Sequence, residues 1–261
     1  MSIILNEINW AQEMNNCAQP VLGKKPFETL SRMAKYYKHE GMTKNAARDA
    51  IDVFLLRCDP DANTVSWSDS LDRAIKNGYK YNAIELDSIG VSATEMEKVD
   101  SLSAKQIRRL AFTLLCLCKY WNALKPGNNN WVRTSDTDIM RMANIHTSVK
   151  RQCALFRELS NLGYIKFSRQ VDNLNVQVLF MDDGEAVLNI HNFDNLGYQY
   201  LKYHGDPYYY ECCNCGVTEK RKDLSSRPRK YCPTCSGIIK AKQTAESDKR
   251  RYVRSISGIP S

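Results

Sequence analysis

Hydrophobic residues in the first hundred positions recur every three or four residues, which is the spacing of one helix face. Leu30, Met33, Ala34 and Tyr37 show this pattern most clearly, and Gly41 ends their segment. The pattern predicts further helices here: a short one before Pro20, one from Thr43 to about Arg57, one that Ser66 or Ser68 caps and Gly78 ends, and one after a capping box at Ser92. Residues 1–102 are therefore predicted to form a helical N-terminal domain.

A longer apolar pattern opens the middle of the chain. Ser103 is predicted to cap a helix over 104–124, which is apolar on more than one side, as a central and buried helix is. A brief strand at Trp131–Val132 and a short helix that starts at Ser135 follow. This is the most regular part of the sequence.

A turn over 144–147 separates the short helix from the next one, which Ser148 caps and Gly163 ends. Its predicted buried face consists of Val149, Cys153, Phe156, Leu159 and Leu162. Alternating residues at 164–169 and 176–180, joined by an Asx-rich turn, then predict a β-hairpin.

Helix, short helix, turn, helix and hairpin in this order resemble the winged helix-turn-helix family. The resemblance rests on Ile139–Ala143, the turn, and the passage Leu159–Ile165, which is similar to the one by which these domains enter their first wing strand. The turn departs from the family pattern because it lacks the glycine commonly seen there. The resemblance covers about 104–181 and implies a DNA-binding domain, which we place at 103–200.

Four cysteines near the C-terminus have the spacing of a metal site. Cys212 and Cys215 form one Cys-x2-Cys pair, Cys232 and Cys235 form another, and sixteen residues separate the pairs. Four thiolates at tetrahedral reach are the ligand set of a structural zinc ion. We therefore predict a zinc ribbon that holds one structural Zn²⁺, in a third domain at 205–261 that ends in a basic helix. The predicted fold class is thus mainly α with a small β component.

The surroundings of the two pairs favour zinc over other uses of paired cysteines. Gly216 and Pro233 suit tight turns around a metal. Disulfides would suit a secreted chain, but residues 1–30 show no export signal, and a redox pair is expected between a strand and a helix. Cys213 is predicted to be a free thiol that faces away from the metal. The other cysteines are predicted to be buried small hydrophobes: Cys17, Cys58, Cys116, Cys118 and Cys153.

Positive charge is concentrated at the C-terminal end. The formal net charge is +8, and residues 205–261 hold twelve Lys and Arg against six Asp and Glu, which leaves only +2 for the rest. Such a field attracts phosphate backbones or other acidic surfaces, although basic surfaces also serve solubility alone. The chain has no uninterrupted apolar run of membrane-spanning length, so we expect a cytoplasmic protein without a membrane partner.

The winged-helix resemblance implies that the helix over 148–162 lies in the major groove of DNA. Its outward cations are Lys150, Arg151 and Arg157, and either arginine can pair with the edge of a guanine. Lys166 and Arg169 on the hairpin would then reach phosphates or the minor groove. The alternative is that these side chains are merely solvated and that the domain docks onto a protein.

A second set of predicted nucleic-acid contacts lies between the two cysteine pairs. Its members are Lys220, Arg221, Lys222, Arg227, Arg229 and Lys230. Neutralising six phosphates would give a log–log salt slope of about −5. Six tyrosines between positions 198 and 210 precede this set, and they either stack on exposed bases or pack the ribbon against the winged helix.

The sequence contains no evident catalytic arrangement, since its four histidines are dispersed and no nucleophile has an evident base, so we expect no enzyme. The whole arrangement resembles proteins of bacterial phages and mobile elements that join a winged helix to a small zinc ribbon. That resemblance implies a DNA-binding protein of replication initiation or transcription control. Two alternatives remain open. One is a protein-interaction module, such as a phage-encoded inhibitor or adaptor that docks on a host nucleoprotein complex, and the other is an RNA-binding protein.

Overall fold

The protein folds into two compact units, residues 2–88 and residues 89–261. A computed structural model describes residues 3–168, 175–224 and 229–257, without the side chains of 250 and 253–257. Helices dominate and strands are few, which confirms the predicted fold class. The predicted division at residue 102 differs from this grouping, because residues 89–100 pair and pack with elements that follow later in the chain.

The described part of the first unit contains four helices, in agreement with the hydrophobic spacing. They are α1 (Glu7–Asn16), α2 (Pro26–His39), α3 (Lys44–Cys58) and α4 (Thr64–Lys80). Helix α2 contacts the other three, and the apolar faces of all four share one buried core. Thr43 caps α3 as predicted, since its hydroxyl accepts the Ala46 N–H over 3.3 Å.

Helix α4 begins earlier than predicted. Its N-cap is Asn63, whose side-chain carbonyl accepts the N–H groups of Val65 at 3.0 Å and Ser66 at 3.3 Å. The predicted caps, Ser66 and Ser68, lie inside the helix. Asparagine is as effective as serine in this position, so the earlier of the available caps defines the start.

A buried carboxylate ties the start of α1 to the rest of the first unit. Glu7 is 4% exposed. Its two oxygens accept from Lys35 Nζ at 2.7 Å, from Arg32 Nε at 3.2 Å and from the N–H of Ile84 at 3.0 Å. A buried carboxylate is tolerated because it is paired and hydrogen-bonded in this way. The hydrophobic pattern did not predict this cluster.

The second unit opens with β1 (Ile89–Ser92) and α5 (Ala93–Asp100). Ser92 and Glu95 form the predicted capping box, in which the Ser92 hydroxyl accepts the Glu95 N–H and the Glu95 carboxylate accepts the Ser92 N–H. Glu95 is fully buried, and Lys119 Nζ lies 2.8 Å from its Oε2. The capping box therefore also anchors α5 to the next helix.

That helix, α6 (Lys105–Leu124), is the central helix of the second unit. Most of its residues from Ile107 to Tyr120 are buried, as the apolar pattern predicted. The prediction that Ser103 caps it was wrong. Ala104 is the last residue with extended backbone, so Ser103 stands one position too early, and the helix starts without a side-chain cap.

The next five elements follow the predicted order. They are β2 (Trp131–Val132), α7 (Asp136–Met142), α8 (Val149–Asn161), β3 (Ile165–Phe167) and β4 (Val176–Val178). The three strands form an antiparallel sheet in the order β2-β4-β3. Helix α6 contacts β2, α7, α8 and β4. Ser135 and Ser148 cap α7 and α8 as predicted, and Gly163 follows α8 with a φ of 77°.

Asn144 allows the chain to turn between α7 and α8 without a glycine. It has a φ of 55°, in the left-handed region that glycine usually occupies. Asparagine enters this region more readily than most residues because its short polar side chain bonds locally. The turn between α7 and α8 therefore forms at its predicted place.

Five further elements follow β4 in the described part of the chain. They are β5 (Ala186–Ile190), α9 (Leu196–Tyr203), β6 (Tyr209–Glu211), β7 (Thr218–Lys220) and α10 (Pro233–Ser257). Strand β5 pairs with β1, and β6 pairs with β7, both antiparallel. Helix α9 packs on α6 and on both strands of the β6–β7 hairpin.

Candidate metal centre and nucleic-acid interface

The first cysteine pair lies in the connection of the β6–β7 hairpin. Strand β6 ends immediately before Cys212, and the chain then turns at Gly216, whose φ is +68°. The N–H of Gly216 bonds the Cys212 carbonyl at 2.9 Å, and the N–H of Cys212 bonds the Val217 carbonyl at 3.0 Å. This tight turn, which the position of Gly216 predicted, directs Cys212 and Cys215 to the same point.

The second cysteine pair lies at the start of α10. Cys232 precedes Pro233, the first residue of the helix, and Cys235 follows in the first turn. The Cys235 N–H points at the Cys232 sulfur over 3.4 Å. Partial positive charge at a helix N-terminus favours thiolates there. The second pair thus leads into a helix, whereas a ribbon would place it in a second hairpin.

The four predicted ligands converge. The sulfur atoms of Cys212, Cys215, Cys232 and Cys235 all lie within 4.8 Å of one another, a geometry that can hold a metal ion. Three of them are buried, and Cys215 is exposed. A tetrahedral ion with four protein ligands has no position left for substrate, so this centre suits a structural role. Cys213 is exposed and lies outside the cluster, as predicted.

Backbone N–H groups favour the thiolate form of Cys212, which is the form that binds a cation. Burial opposes ionisation of Cys212, but the N–H groups of Cys232, Asn214 and Cys215 outweigh it and lower the pKa of Cys212 to about 6. Burial and the neighbouring thiols raise the pKa of Cys215. A bound cation would supply the charge that favours the thiolate form of all four sulfurs.

Two asparagines hold the metal hairpin, which we define as residues 209–220, against the segment before α9. Asn192 Nδ2 donates to the Gly216 carbonyl at 3.2 Å, and Asn195 Nδ2 donates to the Thr218 carbonyl at 3.0 Å. Sequence reasoning missed both residues. The available signal was the tolerance of asparagine for positive φ, since Asn195 has a φ of 54°.

The α8 cations predicted to contact DNA are exposed. Lys150 and Arg157 line one shallow cavity of about 560 Å³ together with Asn161, and Arg151 is exposed beside them. Among the described residues, no ion pair uses the charged groups of these three cations. Their charge is therefore available to an external anion.

The buried face of α8 differs from the prediction. Leu155, Phe156 and Leu159 are its buried residues, whereas Val149 is 73% exposed, Leu162 is 54% exposed and Cys153 is exposed. The helix is rotated so that Leu155, rather than Cys153, enters the core. The prediction that the scattered cysteines are buried was also wrong for Cys17, which is exposed. Cys58 is only partly buried, and Cys116 and Cys118 are buried as predicted.

The hairpin cations are only partly within the described structure. Lys166 is exposed on β3. Arg169 and Arg227, both predicted contacts, lie outside the described residues. Lys220, Lys222, Arg229 and Lys230 are exposed around the metal hairpin. The guanidinium of Arg221 is partly buried and lies 5.7 Å from the ring centre of Tyr210, where it stacks within the protein.

Most of the six tyrosines between positions 198 and 210 pack against other residues of the protein. The rings of Tyr198 and Tyr209 lie 4.9 Å apart, Tyr200 is 2% exposed, and the hydroxyl of Tyr210 donates to the Tyr231 carbonyl at 3.1 Å. These contacts favour the packing interpretation for four of the six. Tyr203 and Tyr208 remain exposed.

Comparisons with protein-family models, with curated proteins and with solved structures each gave no significant match. Within the described ranges, no helix combines the length and the apolar character that crossing a bilayer requires.

Proposed function

We propose that the elements from α6 to β4 form a winged helix-turn-helix and that the protein binds DNA through it. The observation that carries this proposal is the sheet order β2-β4-β3, combined with the element order α6, β2, α7, α8, β3, β4. In that fold the second helix of the helix-turn-helix enters the major groove, and here it is α8. Its exposed face presents the three cations described above.

The metal centre belongs to the same compact unit as the proposed winged helix-turn-helix, and exposed basic residues surround it. We propose that the ion is Zn²⁺, because four thiolates in a tetrahedral cluster are its preferred structural ligand set. Lys220, Lys222, Arg229 and Lys230 would contact phosphates without regard to sequence, while Arg151 and Arg157 read base edges. By the resemblance noted in the sequence, this activity would serve replication initiation or transcription control in a phage or mobile element.

A titration with three ligands tests the proposal. Random-sequence duplex DNA, single-stranded DNA and RNA are each bound to the protein at two salt concentrations and separated on a native gel. We expect the duplex to bind most tightly, with affinity falling steeply as salt rises. Tighter RNA binding would favour the RNA-binding alternative, and absence of salt-sensitive binding to all three would overturn the proposal.

Selection of sites from a random duplex pool tests the roles of the α8 arginines. The wild-type protein is expected to enrich a motif, and the double variant Arg151→Gln/Arg157→Gln is expected to lose it, since each bidentate base contact contributes about 1–3 kcal/mol of discrimination. The double variant Lys44→Gln/Lys76→Gln removes the same charge from exposed positions of the first unit and is expected to retain the motif.

Docking onto a protein is the second candidate, and one observation favours it. A cavity of about 260 Å³ lies between α8 and the three-stranded sheet; Cys153, Phe156, Phe167 and Val176 form its apolar lining, and Asp136 and Arg157 form its polar lining. The apolar side chains of Val149 and Leu162 are also exposed on the same helix. Apolar exposure of this kind is typical of protein interfaces. Absence of salt-sensitive binding to duplex DNA, single-stranded DNA and RNA would favour this candidate.

A further inference from the structure

Helix α10 begins at the metal centre and is exposed over most of the length for which the structure describes side chains. It has 25 residues, which corresponds to about 37 Å at 1.5 Å per residue. Every residue from Lys240 to Lys249 is exposed, and so are Arg251 and Tyr252. A polar helix without packing is only marginally stable in water, so it gains stability from a ligand that binds its surface.

The charge of α10 indicates an anionic ligand. The sequence from Pro233 to Ser257 contains six Lys and Arg against two Asp and Glu. Lys240, Thr244, Ser247 and Arg251 follow one another at spacings of four, three and four, so they form a single row along the helix. This row, the 240–251 row, contains cations and hydroxyl groups and no carboxylate. Asp248 stands at its edge, three positions before Arg251.

The other cations of the described helix surface lie on a different face. Lys242 and Lys249 are seven residues apart and therefore share a side. Glu246 is four positions after Lys242 and three before Lys249, within reach of both. Positive charge on this side is therefore partly offset, as that of Arg251 is by Asp248, whereas Lys240 has no acidic residue three or four positions away.

A second copy of the chain fits α10 less well than a polyanion does. A coiled-coil seam needs large apolar residues at a regular seven-residue repeat. The apolar stripe of α10 consists of Ile238, Ala241, Ala245 and Tyr252, so its middle holds only alanines. The 240–251 row, in contrast, extends about 16 Å, which corresponds to roughly five nucleotides of a strand at a rise of about 3.4 Å each along the duplex axis.

We propose that the 240–251 row of α10 binds the phosphate backbone of nucleic acid without sequence preference. The inference deepens the proposed function and rests on it. Lys240 and Arg251 form charge-assisted hydrogen bonds to phosphate oxygens, and Ser247 donates a hydroxyl hydrogen bond between them, whereas the Thr244 hydroxyl donates to the Lys240 carbonyl at 3.0 Å. The bound strand stabilises the helix, and the helix in turn extends the contact beyond the metal hairpin.

Two matched double variants of the full-length protein test this assignment. Lys240→Gln/Arg251→Gln removes the two cations of the row, and Lys242→Gln/Lys249→Gln removes two cations from the other face. Glutamine preserves helix propensity and length. Affinity for random-sequence duplex DNA is measured by fluorescence anisotropy at several salt concentrations, and circular dichroism checks that both variants keep the wild-type helix content.

The slope of log affinity against log salt concentration distinguishes the possible outcomes. We expect the row variant to bind with a log–log slope about 1.8 less steep than wild type, because each phosphate contact contributes about 0.9. The other variant is expected to keep the wild-type slope. Equal slopes for the two variants, whether changed or unchanged, would overturn the inference while leaving the proposed function intact. Absence of salt-dependent binding by the wild type would overturn both.

Discussion

The side-chain amide of Asn144 donates a hydrogen bond to the side-chain carbonyl of Asn195 over 2.8 Å, and both residues have left-handed backbone. Asn144 lies in the turn between α7 and α8, and Asn195 also donates to the Thr218 carbonyl in the metal hairpin. Two hydrogen bonds therefore connect the metal hairpin to the turn that precedes the proposed recognition helix. We therefore expect order at the metal centre to influence the position of α8.

Asn144→Gly removes this connection without straining the backbone, because glycine accepts a φ of 55°. The variant leaves the side-chain oxygen of Asn195 without the Asn144 donor, and the N–H of Tyr198 loses one of its two acceptors, Asn144 Oδ1 at 3.2 Å, while it keeps the Asn195 backbone carbonyl at 2.8 Å. We expect the free energy of unfolding to fall by about 1–3 kcal/mol, the cost of buried polar groups without hydrogen bonds. Urea denaturation measures this change.

Asn129→Gly is the matched control for that variant. Asn129 has a similar φ of 53° but an exposed position in the loop before β2. Its replacement is expected to change stability by less than about 0.5 kcal/mol. Equal losses in the two variants would contradict a structural role for the Asn144 side chain.

Local signals explain which elements the sequence predicted. Helix α8 was predicted from its spacing, its serine cap and Gly163, all of which act within a few residues. Its rotation was not predicted, because Cys153 and Leu155 are both apolar and only the contact with α6 decides which of them is buried. Periodicity determines that a helix forms, and tertiary packing determines its buried side.

The same distinction holds for the candidate site. The four metal ligands were predicted because Cys-x2-Cys spacing is a local property of a turn. The connection from Asn144 to Asn195 was not predicted, since it joins residues 51 positions apart. It also depends on left-handed backbone, which asparagine permits but does not require. Contacts between distant polar residues leave no periodic trace in a sequence.

Gly197→Ala is expected to disrupt the packing of α9 on the end of α7. A Cβ atom at position 197 would lie 2.1 Å from the carbonyl oxygen of Ala143 and 2.6 Å from its carbonyl carbon, and backbone atoms cannot swing away as a side chain can. We expect a loss of more than about 3 kcal/mol, or failure to fold, because overpacking against backbone exceeds the usual cost of 1–3 kcal/mol. Thermal unfolding measures the loss.

Gly237→Ala provides the comparison for Gly197→Ala, since both glycines are helical. No atom lies within 4 Å of a Cβ at position 237. Alanine is expected to stabilise α10 by about 0.5–1 kcal/mol through its higher helix propensity. Similar melting temperatures for the two variants would show that α9 does not depend on this close approach.

Cysteine variants test the metal centre. The wild-type protein is expected to contain one zinc ion per chain by elemental analysis. Cys235→Ser is expected to lose it, because one sulfur of the tetrahedral set is missing. Cys213→Ser, which changes the adjacent exposed thiol, is expected to retain the full metal content. Equal metal content in the two variants would contradict the assigned ligand set.

Hydrogen exchange extends this test to the connection with α8. Chelation of the ion is expected to speed exchange in the metal hairpin, since structural zinc contributes folding energy to small domains. It is also expected to speed exchange at Tyr198, whose N–H donates to Asn144 Oδ1 at 3.2 Å and to the Asn195 backbone carbonyl at 2.8 Å. Faster exchange confined to the hairpin would show that the metal centre and the helix-turn-helix are independent.

The hydrogen bonds of Asp182 are expected to make the stability of the folded protein depend on pH in the acid range. Its carboxylate accepts hydrogen bonds from the hydroxyls of Ser92 and Thr94 and from the N–H of Gly184, and these lower the pKa of Asp182 to about 2. A pKa below its unfolded value of about 3.9 stabilises the native state. The contribution is complete above pH 4 and is lost as pH falls from about 4 through about 2.

Substitutions at Thr94 test this dependence. Thr94→Val removes one hydroxyl donor at similar volume, so the pKa of Asp182 is expected to rise toward 3.9, as measured by NMR titration of its carboxyl carbon. Thr94→Ser keeps the donor and is expected to keep the low pKa. The stability difference between wild type and the valine variant should then shrink as pH falls from 4 to 2. A difference that stays constant over this range would show that the Thr94 hydroxyl does not act through the charge of Asp182.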